Sequence, residues 1–147
     1  MKKFSFLFLL GIFLISGFVK AGGMPEYIIT DGNVKYFKKL RFNISANLVG
    51  IDESGKMRYN IDEITAYSKD GHIYERVPVI CNGKETGTSE LMELLAYRNG
   101  LKVYRRDVFT GCNNSRADEY IVFNNGKYHV CFNEKNCETL TRFFFKG

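Results

Sequence analysis

A chain of 147 residues with a net charge of +5 has the length of one domain behind a short leader. Three of its 21 basic side chains, Lys2, Lys3 and Lys20, fall in the first 21 residues, so the remainder carries 18 basic against 16 acidic groups, a net +2. That balance removes the charge argument for a nucleic-acid partner, while about 126 residues still suffice to bury roughly two thirds of the unfolded surface.

The N-terminus has the three parts of a secretion signal in order. Lys2 and Lys3 open it, Phe4 to Phe18 is almost wholly apolar, and Val19-Lys20-Ala21 supplies compact residues before a cut after Ala21. A spanning helix needs about 20 apolar residues; this run has 15 and is interrupted by Gly11 and Gly17. The expectation is a cleaved leader over 1–21, a single domain over 22–147, no transmembrane segment after cleavage, and a periplasmic or secreted location.

The domain is punctuated by Asp31-Gly32, Asp70-Gly71, Asn82-Gly83, Asn99-Gly100 and Asn125-Gly126, pairs that tolerate positive φ and mark tight reversals. Between them the apolar residues mostly alternate, as in strands. Tyr27 to Ile29 and Val34 to Phe37 flank the first turn. Leu40 to Val49 reads as one long strand, with Phe42, Ile44, Ala46 and Leu48 on one face. Ser54-Gly55 turns the chain into Met57 to Tyr59, Ile61 to Tyr67 reads as a strand or a turn opened by Asp62, and Ile73 to Ile80 is extended with Pro78 near an edge.

The period then changes. Leu91, Met92, Leu94, Leu95 and Ala96 fit one helical face, Thr88 suits the N-cap, Glu90 and Glu93 the first turns, Arg98 the last and Gly100 the C-terminal stop. This predicts a helix over about 89–99. Leu101 to Tyr104 returns to alternation, and Tyr120 to Phe123 and Lys127 to Phe132 form a hairpin. The tail, about 134–145, reads as a second helix that docks Leu140, Phe143 and Phe144 on the sheet, although Phe143 to Phe145 in extended form would instead offer a partner an aromatic end. The expected class is therefore α+β: an antiparallel sheet or small barrel-like roll with one central and one C-terminal helix.

Tyr27-Ile28-Ile29 with its Asp31-Gly32 turn, the segment Tyr97-Arg98-Asn99-Gly100-Leu101-Lys102-Val103-Tyr104, and Asn133-Glu134-Lys135-Asn136 before an aromatic tail together resemble small uncharacterised exported proteins of the Bacteroidetes type. The resemblance implies an envelope or secreted setting and carries no activity or site.

Cys81, Cys112, Cys131 and Cys137 all lie in the mature part. An even count in an exported chain suggests two disulfides, with three pairings open; Cys81 with Cys112 and Cys131 with Cys137 is the preferred one. No CxxC spacing supports zinc or a redox pair, and no cofactor or metal is expected.

Catalytic constellations are missing. His72 and His129 are the only histidines, neither belongs to a recognised nucleophile motif, and the acidic pairs Asp52-Glu53 and Asp62-Glu63 start no calcium loop. Two basic groups stand out instead. In a continuous strand, Lys35, Phe37, Lys39 and Arg41 share one face, and Arg98, Lys102, Arg105 and Arg106 form a second cluster. Such surfaces meet an acidic protein, a polysaccharide or an anionic surface, or else are solvated faces whose lysines deter edge pairing. The expectation is a non-catalytic exported binding module of unknown ligand. The rival readings are a small secreted enzyme assembled from distant residues (His129, Tyr128 and Glu119 first) and an inhibitor or subunit of an envelope complex presenting the loop around Cys112.

Overall fold

The computed structural model describes residues 24–110, 115–131 and, in the C-terminal segment, 135–137, 139 and 142. The expected leader, Cys112 and the aromatic tail lie outside the described residues. Among the described residues eleven strands occur in chain order: β1 (Glu26–Thr30), β2 (Asn33–Phe37), β3 (Lys39–Phe42), β4 (Leu48–Asp52), β5 (Gly55–Tyr59), β6 (Ile64–Lys69), β7 (His72–Cys81), β8 (Lys84–Arg98), β9 (Leu101–Thr110), β10 (Ser115–Asn124) and β11 (Lys127–Cys131). A 3-10 turn, Ile61–Glu63, precedes β6, its start capped by the Asn60 side chain.

Five of the connections are two-residue hairpins at the five Asp-Gly and Asn-Gly pairs. Both residues of each pair have positive φ, for example 51° and 79° at Asn99-Gly100, the conformation that matches the right-handed twist of the flanking strands. The strands form an eight-stranded sheet in the order β11-β10-β9-β8-β7-β6-β1-β2 and a three-stranded sheet, β3-β4-β5, all neighbours antiparallel.

The small sheet lies across one end of the large one. Its inner residues Leu40 and Leu48 pack with Ile28, Phe37, Ile64 and Tyr67 of the large sheet, and the Glu26 carboxylate ties the layers by accepting the Leu40 backbone N–H. At the other end Leu101, Val103 and Val122 pack on the same face with buried Cys137. The opposite face gathers Val77, Met92, Tyr104 and Ile121. There Tyr128 of β11 lies within electrostatic reach of Glu75 on β7 and Glu85 on β8, strands four and three places away in the order, so the sheet curls inward over this second core.

The α+β expectation is overturned: the fold is nearly all β and sandwich-like. The residues expected to form the central helix, 89–99, lie mainly in β8, the longest of the described strands. A bulge between Leu94 and Ala96 breaks the alternation at Leu95, and both faces are covered near Leu91 and Met92. The resulting Leu-Met-x-Leu-Leu-Ala run imitates helical spacing. Of the expected C-terminal helix, residues 135–137, 139 and 142 are helical, and the remainder lies outside the described residues. The single strand expected over Leu40 to Val49 is also corrected: it is a hairpin, β3 and β4, reversing at Asn43–Asn47.

Candidate functional site

That reversal is held by one residue, Asn43, through its backbone and its side chain. The Asn43 N–H donates to the Asn47 carbonyl (3.0 Å), its carbonyl accepts from the Ala46 N–H (3.1 Å), and its Oδ1 accepts from the Asn47 N–H (2.9 Å). Ala46 takes up the left-handed backbone conformation, φ 57°, that Gly or Asn fills more easily. The clamp presents Ile44 to solvent, 107 % exposed, with Phe42 half-exposed beside it and edge-on to Tyr67 at 6.0 Å.

The register of the small sheet fixes what surrounds this tip. Arg41, Val49 and Arg58 lie opposite one another across β3, β4 and β5, and Lys39, Ile51 and Lys56 form the next such row. Because Leu40 and Leu48 face inward, alternation turns both rows outward. Strand spacing places the two cations of a row about 9.5 Å apart and the rows about 6.6 Å apart. The outer face is thus an apolar lane, Val49 and Ile51, between two cationic rails. Around Val49, itself buried, a shallow depression of ≈ 410 Å³ opens between Arg41, Arg58, Lys56 and Ile44. The side chains of Arg41, Lys56 and Arg58 make no ion pair or hydrogen bond among the described residues. Of the nearby acids, Glu53 at the far hairpin pairs with Lys38 at 2.8 Å, Asp52 accepts from Ser54, whose hydroxyl holds the Asp52 carboxyl below its ordinary range, and Asp70 lies within electrostatic reach of Lys39.

The first expected basic group is therefore only half present. Lys35, Phe37, Lys39 and Arg41 do not share a face, because the chain leaves the large sheet at Lys38. Phe37 turns into the core and Lys35 lies over its ring at 5.6 Å. Lys39 and Arg41 remain, joined by Lys56 and Arg58, which sequence reasoning missed. Their signal in the sequence is the alternation Lys56-Met57-Arg58 directly after the Ser54-Gly55 turn, and it gains meaning only once Leu40 to Val49 is split into a hairpin.

The second group is neutralised. Lys102 Nζ donates to Glu75 at 2.7 Å, Arg105 Nε donates to Glu93 Oε2 at 3.1 Å, and Arg106 lies 3.4 Å from Glu90 and 3.6 Å from Glu119; Arg98 is also engaged. Lys102, Arg105 and Arg106 are thus each matched by a carboxylate. Glu75 accepts a further bond from the Tyr104 hydroxyl at 2.6 Å. Burial, followed by the Glu75 charge, raises the Tyr104 hydroxyl far above its ordinary pKa and pushes that of Tyr27 up to about 12. His72 Nδ1 meets Glu93 Oε1 at 2.6 Å.

The enzyme candidates do not assemble. Pairing of β10 with β11 puts His129 opposite Val122 and Tyr128 opposite Phe123, so adjacent His129 and Tyr128 point to opposite faces, while Glu119 is turned to Arg106. Among the cysteines, Cys81 is exposed at the end of β7 and Cys137 is buried; Cys131 ends β11, and Cys112 lies outside the described residues. No group of three metal-binding side chains occurs, and no helix is long and apolar enough to cross a membrane, among the described residues. Comparison with family models, with curated proteins and with solved structures finds no match.

Proposed function

We propose that the chain is an exported, non-catalytic binding module that takes an anionic ligand on the outer face of the three-stranded sheet. One observation carries this reading: Arg41, Lys56 and Arg58, with Lys39 beside them, stand around an apolar lane with no carboxylate of the chain compensating the first three among the described residues, whereas Lys102, Arg105 and Arg106 of the other basic cluster are held by glutamates. Unpaired like charges held close together repel one another and favour a ligand of opposite sign. The leader over 1–21 and the paired cysteines belong to the same proposal, since an exported domain of this size gains from disulfides.

The test is titration with a soluble polyanion, dextran sulfate, at rising salt. Arg41→Glu/Arg58→Glu should abolish binding, while Lys84→Glu/Lys127→Glu, an equal charge change at exposed hairpin residues elsewhere, should weaken it only slightly. Equal losses in both variants would reduce the effect to net charge and remove the site.

A further inference from the structure

The basic face is not symmetric along its length. At one end stands the clamped turn with fully exposed Ile44 and half-exposed Phe42. Next to it comes the Arg41–Arg58 row, then the Lys39–Lys56 row. The acids Asp52 and Glu53 lie at the opposite hairpin, directly beyond the lysine row and about 13 Å by strand rise from Leu48 at the tip end of β4. Apolar tip, cationic collar and acidic far end thus follow one axis.

Resting on the anionic-ligand reading above, we infer that the partner is the surface of a bilayer containing anionic phospholipid, met tip-first by the β3–β4 hairpin. A polysaccharide or other soluble polyanion satisfies the four cations but supplies no apolar phase for Ile44. An acidic protein would need a pocket fitted to the tip. A headgroup layer supplies both at the required depths: acyl chains below for Ile44 and the Phe42 edge, phosphates above for the arginines and then the lysines. Arg41 and Arg58 flank Val49, and arginine, an apolar stem with a charged planar head, is the side-chain type suited to this boundary. Tip-first docking also carries Asp52 and Glu53 away from the negative surface, which a face-on approach would not. The Asn43 clamp contributes by holding the turn in one conformation before contact, so little ordering remains to be done on docking.

The chain has no tryptophan, so Ile44→Trp makes a single-site optical probe. Protein from the exported fraction is mixed with phosphatidylcholine vesicles with and without about 30 mol % phosphatidylglycerol, enough anionic lipid to hold a negative surface potential. The expected result for Ile44→Trp is a blue shift of the indole emission with the anionic vesicles only, quenched by brominated acyl chains, and no shift with dextran sulfate. In sedimentation, the charge-neutral Ile44→Ser should lower partitioning about tenfold or more, with a much smaller loss of dextran sulfate binding, which the cations carry. Wild-type partitioning by Ile44→Ser, equal fractional losses on vesicles and on dextran sulfate, or unshifted emission from Ile44→Trp, overturns the bilayer assignment. Failure on vesicles with retained polyanion binding overturns it too and leaves the anionic-ligand reading standing; binding only to an acidic polypeptide transfers the surface to a protein partner. Failure with every anion removes both.

Discussion

Gly50 and Phe37 occupy one another's margin: a Cβ on Gly50 would overlap the Phe37 ring. Gly50 sits mid-strand in β4 on the inward row between Leu40 and Met57, so the ring that leaves the large sheet at the end of β2 is seated on bare backbone of the small one. Packing of the two sheets, and with it the placement of the basic outer face, passes through this contact. Gly50→Ala forces the ring or the sheet to move and should destabilise the fold by about 1–3 kcal/mol, read as a lower urea midpoint at unchanged m-value. Adding Phe37→Leu should recover part of the loss; a fully additive double variant would disprove the steric account.

The five Asp-Gly and Asn-Gly turns are legible in the sequence because each needs positive φ twice and the chain supplies the residues that accept it. Asn99-Gly100 shows the limit of that signal, since the same pair also suits a helix end, and the bulged apolar run before it imitates a helix. The reversal at Asn43–Asn47 is hidden for the opposite reason. It contains neither Gly nor Pro, its left-handed position is an alanine, and its stability comes from Asn43 bonding four residues ahead. Without that turn the candidate site is concealed, because Lys56 and Arg58 join Lys39 and Arg41 only through strand pairing. The neutral second cluster is equally invisible: Glu75, Glu90 and Glu93 lie 12 to 27 residues away from the cations that they meet, and helical spacing would have placed Glu90 and Glu93 elsewhere.

Glu75 and Lys102 form a largely enclosed ion pair, their side chains 16 % and 17 % exposed, with the Tyr104 hydroxyl donating a further bond to the carboxylate. Removing one partner strands a charge against apolar neighbours. Lys102→Met should therefore cost about 3 kcal/mol, while Glu75→Leu/Lys102→Met should cost less than the single change, because the penalty belongs to the unpaired charge rather than to the missing attraction. Chemical denaturation of the two variants decides it; a double variant weaker than Lys102→Met would show that the pair itself is a net source of stability.

Glu93 of β8, bonded to His72 of β7 and Arg105 of β9, couples three strands to pH. Burial alone would raise its carboxyl, but hydrogen bonds from His72 and Arg105 and their charges outweigh burial, and the net direction is below the ordinary value of 4.5. A carboxyl lowered in the folded state binds its proton more readily when unfolded. Its contribution is thus complete above the ordinary carboxylate range and is lost as pH falls through that range into the lowered folded value. Glu93→Gln should melt below the wild type at about pH 6, with the gap narrowing as pH falls from about 5 toward 3, because the protonated acid and the amide then bond alike. Melting curves across that interval test it. A gap that stays constant would mean that Glu93 acts through packing alone, with the charge of its bonds to His72 and Arg105 adding nothing to the fold.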